Sequence, residues 1–259
     1  MVAPINEFKR TLQEGRPQIG LWQALANPYT TELCSGAGYD WLLLDAEHAP
    51  NDIPLLVSQL QAMKAYATHP VVRPPVGEAW IIKQLLDIGA QTLLVPMVES
   101  REQAEQLVKA IRYPPAGIRG VGAALARASN FGRTPNYLKT ADDEICLLVQ
   151  IENRLGLDAL DDIARVDGVD GVFIGPADLA ADLGYIGQPT APEVQEVVVA
   201  SLKRIVQLGK PAGILIGDLE LARQYVGLGA SFVAIGNDVG LLANATAQRL
   251  GDFKTLLSQ

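Results

Sequence analysis

Charged and polar side chains recur just after short apolar runs in this sequence: Asp45, Glu47 and His48 after WLLL, Arg73 in VVRPP, Gln150 and Glu152 in ICLLVQIE, and Asp178 in GPAD. If the runs are strands, Glu152 and Asp178 leave consecutive strands, whose spacing when paired is about 4.8 Å. Two hard carboxylates converging there suit Mg²⁺, Mn²⁺ or a similar ion with positions left open for water or substrate. The same carboxylates could instead cap helices or pair with arginine. His48, at a strand end beside Asp45 and Glu47, is placed to act as a base, with a carboxylate to hold its tautomer and raise its basicity. His69 precedes Pro70 at the opposite strand end and reads as structural. Arg73, stiffened by Pro74, offers a fork to a carboxylate or charge stabilisation to an enolate oxygen. It could equally be a partner for Asp45 or Glu47. Gln150 shares a face with Glu152 by the period of two, to meet substrate oxygens or a core network.

These residues need a frame that gathers strand ends. Apolar runs at 19–23, 41–47, 70–73, 92–97, 145–151, 171–174, 212–216 and 232–235 read as strands, several continuous enough to be covered on both faces. Helical patterns at 53–66, 78–86, 100–111, 192–208 and 218–228 alternate with them, and 238–259 reads as a terminal helix. Eight β/α repeats without a long linker predict one (β/α)8 barrel spanning residues 1–259, with its site at the C-terminal strand ends. Trp22 and Gln23 would close strand one there, and strand seven would end at Leu215. The glycine-rich stretch 113–143 is expected to form an active-site loop, and 179–190 a second loop. The eight lysines avoid catalytic strand ends, which disfavours Schiff-base chemistry. Gly120-Val-Gly122 lacks the third glycine of a dinucleotide fingerprint.

Composition narrows the classes further. With 259 residues, 49% hydrophobic and 19% charged, the chain has apolar surface enough for a large core. A net charge of −8 without a basic cluster argues against nucleic acid. No apolar stretch reaches about 18 residues and the N-terminus lacks a signal-peptide pattern. Cys34 and Cys146 are the only cysteines and form no CxxC. A cytoplasmic protein without membrane association is expected.

Taken in order, Trp41-Leu-Leu-Leu-Asp45-Ala-Glu47-His48, VVRPP, Leu93-Leu-Val-Pro96-Met97, Gln150-Ile-Glu152 and Gly175-Pro176-Ala177-Asp178-Leu179 resemble the HpcH/HpaI family of metal-dependent class II pyruvate aldolases. The resemblance spans nearly the whole chain. It implies a barrel of the phosphoenolpyruvate/pyruvate type, a homohexamer whose subunits exchange C-terminal helices, and cleavage of 4-hydroxy-2-oxo acids to pyruvate and an aldehyde. It implies Glu152 and Asp178 as ligands of Mg²⁺, Mn²⁺ or Co²⁺, with no organic cofactor. Gln150 and the backbone of Gly175, Pro176 and Ala177 would hold the pyruvyl group, Arg73 the enolate, and His48 would be the base. Asp45 would lie near the metal's water and Asp87 would support His48. Yet Asp87 closes a helix leading into strand four, at the bottom of its own barrel, so only another subunit or an unusual helix end would bring it to a site. Trp22 and Leu215 would shape the aldehyde pocket. On the same scaffold, a citramalyl- or malyl-CoA-type lyase remains open through Arg112, Arg119, Arg127 and Arg133, as does a non-catalytic oxo-acid-binding barrel.

Overall fold

Every apolar run expected to be a strand is one. A computed structural model describes residues 2–258. In it β1 (Gln18–Gln23), β2 (Trp41–Asp45), β3 (His69–Arg73) and β4 (Thr92–Val95) are followed by β5 (Cys146–Ile151), β6 (Gly171–Ile174), β7 (Ala212–Leu215) and β8 (Ala230–Asn237). All pair in parallel and in sequence order, and β8 returns to β1 to close the barrel. The expected α/β barrel is therefore the observed fold.

Helix α1 (Glu7–Gln13) precedes β1; α2 (Pro28–Ser35), α3 (Ile53–Met63), α4 (Ala79–Asp87) and α5 (Arg101–Ile111) follow the first four strands. The short α6 (Tyr137–Thr140) comes before β5, and α7 (Arg154–Asp158) and α8 (Leu160–Ala164) come after it. Then α9 (Pro176–Asp182) and α10 (Pro192–Gln207) follow β6, α11 (Leu219–Gly227) follows β7, and α12 (Asp238–Leu257) ends the described chain. Side-chain caps start several of these: Asp52 accepts the Leu55 N–H at 2.8 Å and Asn153 the Gly156 N–H at 2.9 Å, each cap contributing about 1 kcal/mol.

Alternation along the strands sorts two cores. One lies between the sheet and the helices. The other fills the barrel with Trp22, Trp41, Leu43, Val71, Leu94, Leu148, Phe173 and Phe232. Glycine makes room for this aromatic filling: a Cβ on Gly20 would lie 2.2 Å from the Trp41 ring. Below, Phe8 of α1 stacks on His69 at 5.5 Å and meets Trp41 and Phe232 edge-on, plugging the N-terminal end. Because side chains repeat every two residues, the faces carrying Leu43, Val71 and Leu148 end in Asp45, Arg73 and Gln150. The filling of the barrel and the floor of its upper mouth are one surface.

Two expectations about loops are corrected. Residues 113–143 follow α5 rather than β4, so they run along the N-terminal rim and not the rim with the strand ends. There Ala3 N–H donates to Thr140 Oγ1 at 2.9 Å and Asn6 N–H to Glu144 Oε2 at 2.7 Å. The expected loop at 179–190 begins as helix, since Pro176 at the first position of α9 is preset for it.

Candidate active site

The mouth is built on a cross-strand pair. Asp45 and Arg73 are direct partners in the β2–β3 register. Arg73 Nε donates to Asp45 Oδ1 at 2.9 Å and Nη2 to Oδ2 at 2.7 Å, a bidentate fork between two buried residues. Arg73 Nη1 also lies 2.7 Å from Glu47 Oε2, and its guanidinium sits 5.1 Å from the centre of the Trp22 ring. Trp22 Nε1 reaches Asp45 Oδ2 at 3.3 Å. Burial works to raise the Asp45 pKa, but the Arg73 bonds and charge and the Glu47 and His48 N–H groups outweigh it, leaving the carboxyl below its ordinary value. The two readings of Arg73 merge: it is the partner of both acids, and it is fixed by them.

Across the mouth, Ile151 pairs with Ile174, so Glu152 and the Gly175–Asp178 turn emerge side by side. Gln150 Nε2 donates to Glu152 Oε2 and the Met97 N–H donates to Glu152 Oε1 at 2.8 Å. Burial pushes Glu152 up to about 7 against those two bonds, and the charges of Asp178 and Glu47 push the same way. Glu47 is raised too, chiefly by burial, with Asp45 and Asp178 opposing the relief from Arg73 and His48. Glu47 thus stands between the arginine and the acid pair. Gly175 allows the close approach, since a Cβ there would fall 2.6 Å from Glu152 Oε2. Asp178 is exposed in the first turn of α9, where the helix dipole favours an anion.

These residues fit a divalent cation. Beyond Asp45, the carboxylates of Glu47, Glu152 and Asp178 crowd a mouth whose arginine is already engaged, and Gln150 Oε1 is buried with no hydrogen-bond partner. Among the described residues no group of three or more His, Cys, Asp or Glu side chains forms a ready cage. Glu152 and Asp178 present carboxylate oxygens with open positions beside them rather than a closed site, a donor set that fits a hard divalent cation.

Most expected residues meet here. His48 is at the rim with its side chain 65% exposed, its Nε2 3.8 Å from Glu47 Oε2, beyond hydrogen-bond reach. Asp45 accepts its backbone N–H at 3.4 Å and makes no bond to its ring. Leu215, half-buried at the end of β7, packs against the barrel's aromatic cluster. Pro176 is buried and Ala177 exposed. The structure does not bring Asp87 to this mouth within one chain. It ends α4, at the N-terminal rim, where Oδ1 accepts from Arg119 Nη2 at 2.9 Å. Helix direction settles this, because α4 follows β3 and descends to that rim. Arg112, Arg119, Arg127 and Arg133 follow α5 on the same side, so within one chain they do not line the mouth for a CoA phosphate. Lys9 and Lys210 donate to the carbonyls of Ile145 and Val169, ahead of β5 and β6 and away from the mouth. Sequence reasoning gave no role to the Met97 N–H; its only signal was the Pro96-Met97 break after strand four.

The sequence profile of the family described as HpcH/HpaI aldolase/citrate lyase matches residues 18–245. A hydroxypyruvate/pyruvate aldolase of Deinococcus radiodurans is 61% identical over 249 residues, covering 96% of this chain and 90% of that protein. A 4-hydroxy-2-oxo-heptane-1,7-dioate aldolase of Escherichia coli is 56% identical over 240 residues, 93% of this chain and 92% of that one. The crystal structure of an HpcH/HpaI aldolase/citrate lyase family protein from Burkholderia cenocepacia superposes with a TM-score of 0.92 at 40% identity, covering 96% and 99% of the two chains. Barrel, strand-end acids and sequence agree: this chain belongs to the HpcH/HpaI aldolase/citrate lyase family.

Proposed function

We propose that this chain is a class II pyruvate aldolase that reversibly cleaves 4-hydroxy-2-oxo acids to pyruvate and an aldehyde, using Mg²⁺, Mn²⁺ or Co²⁺ held by Glu152 and Asp178. The observation that carries this reading is one mouth holding both an arginine locked by two carboxylates and a buried acid, Glu152, with Gln150 and Asp178 beside it. When bound, the ion supplies a Lewis acid for the carboxylate and 2-oxo oxygens of the substrate.

The side chains divide the remaining work. Gln150, whose Oε1 lacks a partner, and the turn of Gly175, Pro176, Ala177 and Asp178 hold the pyruvyl end. His48, exposed at the rim, takes the proton of the 4-hydroxyl as the C3–C4 bond breaks. The bond's electron pair becomes the enolate of pyruvate, and the N–H groups of Arg73 not directed at Asp45 and Glu47 stabilise its developing charge. Asp45 keeps that guanidinium in place. Protonation at C3 gives pyruvate. Trp22 and Leu215 wall the side on which the aldehyde departs. Among the described residues no lysine stands at the mouth to form a Schiff base, and the reaction as written uses no organic cofactor. In a homohexamer with exchanged C-terminal helices, Asp87 would serve a neighbour's histidine.

Pyruvate release from 4-hydroxy-2-oxoheptane-1,7-dioate and shorter analogues, followed by coupling to lactate dehydrogenase, tests the reading. Release should vanish after EDTA stripping and return with added metal. No release with any of the three ions overturns it.

A further inference from the structure

Just beyond β4 the chain makes a turn whose one unusual residue faces the acid pair. Met97 has φ +54°, a left-handed conformation that side chains other than Asn and Asp seldom adopt. Its N–H donates to Glu152 Oε1 at 2.8 Å, and the twist turns the chain that follows back toward α5. Such a residue persists only where its surroundings over-determine it. Val98 N–H donates to the Gln150 carbonyl at 3.0 Å, and Asn153 Nδ2 to Glu99 Oε1 at 2.6 Å. The remaining tie comes from α5. Gln103 Nε2 donates to the Met97 carbonyl at 3.0 Å, and Gln103 Oε1 accepts the Glu99 N–H at 2.9 Å.

Gln103 is the third residue of α5, and the N-cap Ser100 accepts its N–H at 3.1 Å. Ser-x-x-Gln is a capping-box pattern, in which the glutamine ordinarily turns back to the N–H of the cap residue itself. Here the side chain passes Ser100 and grips Glu99 and Met97. Its bond to the Met97 carbonyl satisfies none of the free N–H groups at the helix end. Its bond to Glu99, which precedes the N-cap, satisfies none of them either.

We propose that Gln103 is a positioning residue for the metal ligand Glu152, acting through the Met97 backbone. The proposal rests on the assignment of Glu152 as a ligand. By clamping residues 97–99, Gln103 keeps the Met97 N–H on Glu152, so the carboxylate is oriented before a cation arrives. Partners next to a ligand change metal affinity about 10- to 100-fold. Gln103 stands one step further out, so a change of roughly five- to tenfold is expected.

The test is Mn²⁺ binding to the metal-stripped full chain by titration calorimetry, comparing wild type with Gln103→Glu, Gln103→Met and Glu152→Gln. Gln103→Glu keeps an acceptor for the Glu99 N–H but has no N–H for Met97. Its added negative charge alone would tighten cation binding, so weaker binding is not a charge effect. Both Gln103 variants should bind Mn²⁺ roughly five- to tenfold more weakly yet reach the wild-type kcat for pyruvate release at saturating Mn²⁺. A role in anchoring the helix start alone would lower the unfolding temperature of Gln103→Met and leave the Mn²⁺ affinity of Gln103→Glu at or above the wild-type value, which would overturn the proposal. Glu152→Gln separates the two assignments. If it binds Mn²⁺ as tightly as wild type, the ligand assignment falls and the proposal with it. If it loses binding while both Gln103 variants keep full affinity, only the role of Gln103 is overturned.

Discussion

Arg73 owes its setting to three neighbours at once: the Asp45 fork, the Glu47 ion pair and the face of Trp22. A lysine there would keep the charge but lose the planar fork and the stacking. Arg73→Lys should therefore lower kcat for pyruvate release by about 10²-fold or more while the protein stays folded. Steady-state kinetics at saturating metal would check this, and a wild-type rate would remove Arg73 from the chemistry. Glu152 gives a prediction in pH. Its carboxyl, raised chiefly by burial to about 7 from 4.5, favours the protonated form in the folded, metal-free chain. That contribution to stability is fully present below pH 4.5 and is lost as pH rises through about 7, a span worth roughly 3 kcal/mol. Metal needs the ionised carboxylate, so the order reverses when it binds. Thermal unfolding should show stripped protein losing stability from pH 6 to pH 8, and Mn²⁺ raising Tm more at pH 8 than at pH 6. An equal Mn²⁺ effect at both pH values would count against Glu152 as the titrating ligand.

At the scale of elements, the tolerance that bears on the site is between β5 and the turn before α9. Gly175→Ala would put a Cβ 2.6 Å from Glu152 Oε2 and 3.0 Å from Gln150 Nε2. It should weaken Mn²⁺ binding at least about tenfold and lower Tm by several degrees, readable by calorimetry and by thermal unfolding. The elements themselves were largely legible, because parallel strands covered on both faces appear as apolar runs and their helices carry caps and glycine stops. Asp45, Arg73, Gln150 and Glu152 could be placed for the same reason: period two sends each inward from a run already assigned. What failed was the side of the barrel given to 113–143. The helix ending at Ile111 comes first, so the segment after it had to enter β5 from below. The reach of Gln103 was also illegible. The Ser100-x-x-Gln103 pattern shows a cap, but which N–H and which carbonyl the amide meets depends on the twist at Met97, which no residue type there announces.

At the scale of the whole molecule, α12 stands apart from its own barrel. Of its twenty residues only Asp238 is buried, and Leu241, Leu242, Leu250, Phe253, Leu256 and Leu257 are exposed. Asp238 anchors its start by accepting the Ala24 and Leu25 N–H groups at 2.8 and 3.1 Å. If the chain forms the proposed hexamer by exchanging these helices, a chain ending after Asn244 should have a smaller mass in light scattering after size exclusion than the full chain; an unchanged mass would remove α12 from the assembly. Cys34 and Cys146 are free thiols, and no described helix is long and apolar enough to cross a membrane. The aromatic filling has a kinetic meaning as well. From Trp22 through Phe173 and Phe232 to Phe8 the rings follow one another at 5.6 to 6.2 Å, so the barrel is a well with one opening rather than a tunnel. Gln150 and Glu152 are buried and His48 stands exposed at the rim, so whatever settles against the first two lies beneath whatever sits at the third. Traffic through such a well is last in, first out: the aldehyde must clear before pyruvate can follow, and pyruvate alone among the products should compete with the uncleaved substrate for the empty enzyme.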